Sequence, residues 1–156
     1  AERRDTLSLR EMARRVGVAA PRSTADSLIA AYSAALASAY LALARGDTAT
    51  SLRRFAALPD SLCQLCAAPR VVHARLLAST GRSREAAAIL AERPTLLPSA
   101  IDVLWALERA RLADRLGDRV TARQSYAVVA GAWQDPDADL TPVAVEARTA
   151  LRRLGR

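Results

Sequence analysis

The chain has 156 residues, of which 51% are hydrophobic, and this is enough for one domain with a continuous core. Only 4% are aromatic, so Ala, Leu and Val must build most of that core. All 23 Lys-or-Arg positions are arginine and the formal net charge is +7. That charge suits an acidic partner or simple solubility, and because the arginines are scattered we favour solubility. We find no uncharged apolar stretch of about 18 to 20 residues and expect no membrane span.

Helix signals dominate the chain from end to end. Apolar residues recur at steps of three and four, and alternating strand patterns are missing, so we predict an all-α protein. Capping residues, glycines and prolines delimit eight helices. Their predicted ranges are about 8–16, 24–45, 48–58, 69–81, 83–93, 99–116, 119–134 and 141–154. Because the loops are short, we expect consecutive helices to pack antiparallel.

Three glycines, Gly46, Gly81 and Gly117, recur 35 and then 36 residues apart. Each follows an alanine by seven positions, and precedes a small residue by five and a large apolar residue by nine. The three sets are Ala39, Ser51 and Phe55; Ala74, Ala86 and Leu90; and Ala110, Ala122 and Tyr126. A period of this length is typical of stacked helix hairpins, in which the small residues let two helices approach closely and the large one fills the space against the next hairpin.

This register resembles the tetratricopeptide repeat (TPR), in which a small residue, a turn glycine, a second small residue and an aromatic recur in that order. The resemblance implies an antiparallel helix-hairpin solenoid, one TPR-like domain over residues 1–156. Its parts would be a half-repeat helix in 1–20, hairpins in 24–58, 68–93 and 99–134, and a capping helix in 141–154. It also implies a non-catalytic scaffold that binds a protein or peptide and needs no cofactor.

Residues 42–47, 58–63 and 104–118 also resemble C-terminal solenoids of large bacterial proteins. Those solenoids can be fused to a serine/threonine kinase or to a transcriptional activator domain. This resemblance implies that the chain is the sensing or docking part of a larger bacterial regulator. The chain starts at Ala1 without Met, so we expect a fragment or a mature chain whose leader was removed. The cytoplasm is favoured, and a processed start would imply an extracellular protein.

In tetratricopeptide domains the first helices of the hairpins line a groove. The matching positions here are Tyr40, Leu43, Arg75, Ala78, Arg111, Asp114 and Arg115. Guanidinium groups pair with carboxylates in a two-pronged geometry, so the three arginines predict a site for an acidic peptide or chain terminus. The alternative is a solvated face with internal salt bridges such as Glu108–Arg111 or Arg115–Asp118, and the sequence favours neither.

Cys63 and Cys66 form a Cys-x-x-Cys motif in an irregular segment. Structural thiols or a local disulfide are the first interpretation, and half a metal site or a redox pair are the others. A zinc site needs about four ligands, and His73 is the only histidine of the chain. His73 also falls where the repeat normally carries a buried leucine, so we expect it to be a core residue and expect no metal.

Other patterns suggest two further functions, and a third, enzyme activity, is not expected. Residues 8–27 have helix–turn–helix offsets at Ala13 and Gly17, but the long turn contains Pro21 and the second helix has few base-reading side chains, so nucleic acid is not the expected partner. The first helix resembles half a repeat and would expose a face that needs a neighbour. If another copy supplies that neighbour, head-to-tail stacking gives a homo-oligomer or filament. Without a Ser–His–Asp set or a phosphate loop, we expect no enzyme.

Overall fold

The computed structural model describes residues 6–18, 23–59, 67–91 and 100–155. These residues form eight α-helices and no strand, which confirms the predicted all-α class with eight helices. In chain order the helices are α1 (Thr6–Val18), α2 (Thr24–Ala44), α3 (Thr48–Ala56), α4 (Ala67–Ser79), α5 (Ser83–Ile89), α6 (Ala100–Leu116), α7 (Arg119–Ala132) and α8 (Thr141–Leu154).

The chain divides into two compact units, Ala1–Pro69 and Arg70–Arg156, called unit 1 and unit 2 below. In unit 1, α2 contacts both α1 and α3. In unit 2, α6 contacts α5 and α7, and α7 contacts α8. The expectation of one repeat domain over residues 1–156 stays a prediction.

The three register glycines make the same turn. Gly46, Gly81 and Gly117 have φ angles of 80°, 83° and 82°, a left-handed conformation that glycine adopts without steric cost. The amide of each glycine donates to the carbonyl three residues back, at 3.0, 3.2 and 3.1 Å. The amide after each glycine donates five residues back, at 3.0, 2.9 and 2.9 Å. This pair of bonds is the Schellman motif, which satisfies carbonyls at a helix end and stops the helix there.

The three turns differ in whether the residue after the glycine caps the next helix with its side chain. Asp47 and Asp118 each accept a hydrogen bond at 3.0 Å from the amide three residues on, Thr50 and Thr121 respectively. Hydrogen bonds from Thr50, its amide first, lower the pKa of the Asp47 carboxyl, and hydrogen bonds from Thr121, its side chain first, lower the pKa of the Asp118 carboxyl. The two main-chain bonds also satisfy an amide in the first turn of α3 and of α7. The equivalent residue before α5 is Arg82, which provides no such cap.

All nine register positions are buried. The six small positions and Leu90 are fully inaccessible, and Phe55 and Tyr126 are nearly so. In unit 1, the hydroxyl of Ser51 reaches the main chain of Ala39 across the hairpin at 3.1 Å. Side-chain size at these positions therefore limits how closely paired helices can approach.

The core of unit 2 is built on α6, α7 and α8. Its buried members are Leu107, Ala110, Ala113, Ala122, Tyr126, Val129, Ala147, Ala150 and Leu154. Trp105 is buried on α6, and its indole N–H donates to the Leu90 carbonyl at 3.2 Å. This bond satisfies a buried donor and fixes the end of α5 against α6.

Helix α2 corrects the expectation that no apolar segment is long enough to cross a membrane. By length and composition alone, Thr24–Ala44 qualifies, because residues 27–44 carry no charge. Five of its residues, Tyr32, Ala37, Ala39, Ala42 and Ala44, are buried in the fold. A single helix of this kind is weak evidence, because core helices and signal sequences meet the same two criteria, so a membrane span is not indicated.

Candidate binding surface

Ion pairs connect α4, α6 and α8 within unit 2. Glu108 on α6 accepts Arg75 of α4 at 2.9 Å and Arg111 of its own helix at 2.8 Å. Arg111 also donates two parallel hydrogen bonds to Glu146 of α8, from Nε to Oε1 at 2.7 Å and from Nη2 to Oε2 at 2.5 Å. These contacts form one chain of alternating charge across three helices, called the charge ladder below: Arg75, Glu108, Arg111 and Glu146.

Helical spacing places the ladder on one face of α6. Glu108, Arg111 and Arg115 follow at steps of three and four residues, so their side chains leave the helix on the same side. The Glu108 side chain is only 10% exposed, and the guanidinium groups of Arg75 and Arg111 flank its carboxylate at that depth. The pKa of Arg111 is raised above its usual value, mainly by its hydrogen bonds to Glu146 and then by the charge of Glu108.

Two of the three arginines predicted to hold an acidic peptide thus already hold carboxylates of this chain. The predicted Glu108–Arg111 salt bridge forms, and Asp114 pairs with Arg153 of α8. The other anticipated bridge, Arg115–Asp118, does not form, because the Asp118 carboxylate caps α7.

Arg115 differs from the other two groove arginines. It is exposed near the end of α6 and makes no ion pair or side-chain hydrogen bond within the part of the chain that the structure describes. A carboxylate from outside could therefore pair with Arg115 without displacing one of the chain's own.

Tyr40, the remaining predicted groove residue, belongs to unit 1. Its ring packs edge-on against Phe55, with centroids 5.2 Å apart and planes at 90°. Burial raises the pKa of its hydroxyl, and the nearby Tyr32 adds to this. Tyr40 therefore joins α2 to α3 in the hydrophobic contact of the first hairpin.

The metal and redox interpretations stay predictions. Cys63 and Cys66, with the predicted disulfide between them, lie outside the described residues. His73 is half-buried on α4, and burial, with the neighbouring Arg82, lowers its pKa while Glu85 opposes them. Among the described residues, no three His, Cys, Asp or Glu side chains meet as metal ligands.

Sequence reasoning missed the two residues of α8 that complete the ion pairs, Glu146 and Arg153. They follow their partners Arg111 and Asp114 by 35 and 39 residues, and Glu108 follows Arg75 by 33. Opposite charges about one repeat period apart were the signal that could have found them, since that spacing places residues on equivalent helices of neighbouring hairpins.

Comparison with protein-family models, with curated proteins and with solved structures finds no match to this chain. The features of this chain that indicate a function are therefore its own: the repeated glycine turn, the buried register positions, the charge ladder and the exposed groups beside it.

Proposed function

We propose that this chain is a tetratricopeptide-like module of helical repeats that binds another protein or peptide and catalyses no reaction. The observation that carries the proposal is the triple turn at Gly46, Gly81 and Gly117. Three turns with the same φ, the same two hydrogen bonds and the same buried small residues at fixed offsets are expected of repeated hairpins.

The charge ladder supports side-by-side stacking of hairpins within unit 2. In a solenoid, the first helix of each hairpin contacts the first helix of the next. The ladder connects α4, α6 and α8, which alternate with α5 and α7 along the chain. Repeated hairpins that stack in this way present a continuous helical surface, and such surfaces bind extended or helical segments of other proteins.

Arg115 is the residue on this surface that we assign to an acidic ligand. Arg111, one helical turn earlier, holds Glu146 in a two-pronged pair and is only about one-third exposed. A bound carboxylate would therefore take its direct bond from Arg115, because Arg75 and Arg111 are already paired with carboxylates of this chain. Affinity from one exposed pair is modest and depends on salt.

Binding of a fluorescein-labelled hexaglutamate peptide, followed by fluorescence anisotropy, tests this assignment. The Arg115→Ala variant should lose most of the binding, and added salt should weaken what the wild type retains. Arg123→Ala is the matched control, because Arg123 is also an exposed arginine, on α7. Equal losses in both variants would mean attraction to net charge alone, and unchanged binding by Arg115→Ala would refute the site.

Sedimentation velocity over a wide concentration range separates this proposal from a filament-type subunit. A protein-binding module should sediment as one small species throughout. A sedimentation coefficient that grows steadily with concentration would instead favour open head-to-tail assembly.

A further inference from the structure

The large apolar side chains that unit 1 exposes, within its described residues, all lie on α1 and α2. They are Leu7, Met12, Leu28 and Ile29. Leu7 and Met12 are separated by five residues, which places them about 7.5 Å apart along the axis of α1. With Ser8, Glu11 and Arg15 they line an open groove of about 550 Å³. These five residues are called the α1 face below.

Helix α2 has more apolar surface than its neighbours cover. Of the 18-residue apolar window within Thr24–Ala44, only 28% is buried. Residues 24–29, which include Leu28 and Ile29, are exposed throughout. Two contacting helices thus both expose large apolar side chains, as helices at interaction sites do.

The charge on α1 restricts what can cover this surface. Arg14 and Arg15 share the single carboxylate of Glu11, at 3.0 and 2.8 Å, and Arg10 has no carboxylate partner among the described residues. The described residues of α1 therefore carry three positive charges against one negative charge. A partner gains from this arrangement when it sets carboxylates beside its own apolar side chains.

We propose that the α1 face docks an acidic amphipathic helix of another protein, with an apolar stripe that seats between Leu7 and Met12 and carboxylates that pair with Arg10, Arg14 and Arg15. This inference deepens the proposed binding function and rests on it, but it uses a surface distinct from Arg115. A helix fits because side chains one turn apart, about 5–6 Å, match an apolar groove on another helix.

Two other occupants agree less well with these charges. A second copy that placed its α1 on this face would bring two basic helices together, and the whole chain carries +7. An anionic bilayer would satisfy the arginines, but its negative surface would also lie against the Glu11 carboxylate, whereas a helix can place its own carboxylates beside the arginines alone. Both remain outcomes of the test.

The probe is a fluorescein-labelled helical peptide with leucines at helical spacing, glutamates beside them and alanine spacers. A second peptide, used for comparison, has the same leucines and alanines with lysine in place of glutamate. The double variant Leu7→Gln, Met12→Gln should bind the acidic peptide at least about tenfold more weakly than the wild type. Gln keeps both charge and helix propensity, so the loss reports apolar contact.

The matched control is the double variant Val120→Gln, Val145→Gln in unit 2. These valines are 68% and 51% exposed, close to the 75% and 52% of Leu7 and Met12, and their replacement should leave binding unchanged. Arg10→Glu should weaken binding of the acidic peptide and strengthen binding of the lysine peptide. Circular dichroism of each variant checks that the helical content is retained.

Three results would overturn the inference. Equal affinity for the two peptides would remove the role of charge. The second result is a wild-type protein that binds neither peptide but sediments with vesicles of equal phosphatidylcholine and phosphatidylserine. If the Leu7, Met12 double variant did not sediment with them, the face would be assigned to a membrane surface. Self-association lost in the same variant would assign it to a second copy. If hexaglutamate binding still requires Arg115 in any of these cases, the proposed function stands and only this inference fails.

Discussion

The Ser51 hydroxyl donates a hydrogen bond to the main-chain oxygen of Ala39, 3.1 Å away and 12 residues earlier in the chain. Both residues are fully buried, so a side chain of α3 touches the backbone of α2 directly. The equivalent positions of the other two hairpins hold pairs of alanines, Ala74 with Ala86 and Ala110 with Ala122, which are equally inaccessible. The contact between Ser51 and Ala39 therefore indicates that the small positions between paired helices have little room for a larger side chain.

Enlarging Ser51 should cost much more than removing its hydroxyl. We expect Ser51→Leu to lower the free energy of unfolding by about 2–3 kcal/mol, because a leucine must push α3 away from α2. Ser51→Ala should cost about 0.5–1.5 kcal/mol for the lost hydrogen bond. Urea unfolding followed by far-ultraviolet circular dichroism is the measurement, since Trp105 and Trp133 both lie outside unit 1.

The control for this substitution is Ala49→Leu, on the exposed side of the same helix. A leucine there meets solvent and should change stability little. If Ser51→Leu proved no more costly than Ala49→Leu, close approach at the small positions would not be what the register requires.

Two glycines of unit 2 should respond to alanine with opposite signs. Gly117 has a positive φ and open space where the methyl group of an alanine would lie, so Gly117→Ala should lose about 1–2 kcal/mol from backbone conformation alone. Gly131 lies within α7 without a positive φ, and its surroundings are equally open. Gly131→Ala should therefore stabilise unit 2 by about 0.4–1 kcal/mol.

Tryptophan fluorescence during urea unfolding reports this pair, because both tryptophans lie in unit 2. The same direction of change in both variants would contradict the assignment of a special conformation to the turn glycine. D-alanine at position 117, introduced by chemical ligation, should restore the stability that L-alanine removes, since D-residues favour positive φ.

Local signals in the sequence were enough for the helices and their turns. Gly46, Gly81 and Gly117 end helices where the spacing predicted, because a left-handed residue at a helix end depends on neighbours within a few positions. Asp47 caps the start of α3 for a similarly local reason, whereas α8 begins at Thr141 after Leu140, which provides no side-chain cap. The start of α7 and the end of α8 also coincide with their predictions at Arg119 and Leu154.

The surface chemistry depended on helix placement, which periodicity does not specify. Helical spacing places Met12 on one apolar face with Leu9, yet Met12 is more than half exposed, since which side of α1 is covered depends on where α2 lies. Arg75 and Arg111 have the spacing of groove residues, but the carboxylates that neutralise them come from other positions in the fold, including Glu146 on α8. Helical periodicity carries no information about which residues of other helices will be their partners.

The Arg111–Glu146 pair should couple more strongly than an exposed pair of the same chemistry. A double-mutant cycle with Arg111→Met and Glu146→Gln should give a coupling energy of about 1–1.5 kcal/mol. That value is well below a fully buried pair, because the two side chains are 33% and 35% exposed and water screens them. Arg75 still neutralises Glu108 when Arg111 is replaced.

The matched control is Arg82–Glu85, a pair three residues apart with side chains 48% and 58% exposed. Arg82→Met and Glu85→Gln should show a clearly smaller coupling, which salt should weaken further. Equal coupling in the two cycles would mean that the charge ladder contributes no more than a surface ion pair. Tryptophan fluorescence follows all of these variants, which lie in unit 2.

His73 should make unit 2 less stable as the pH falls below about 6.5. Burial first, and then Arg82, hold the folded-state pKa of His73 below its ordinary value of 6.5, with Glu85 acting in the opposite direction. Above about pH 6.5 the side chain is neutral in both states and contributes no pH dependence. Below it, the unfolded chain takes up a proton before the folded chain does, so the free energy of unfolding decreases until the folded-state pKa is passed.

The substitution that tests this pH dependence is His73→Leu, because His73 is the only histidine and few other groups change charge between about pH 7.5 and 5.5. His73→Leu should flatten the stability profile in that window, and Arg82→Gln should reduce its slope by raising the folded-state pKa of His73. The imidazole C–H resonance of the folded wild type, followed by NMR, should titrate below pH 6.5. A midpoint at or above that value would contradict the burial of this side chain, since desolvation is the main cause that holds its pKa down.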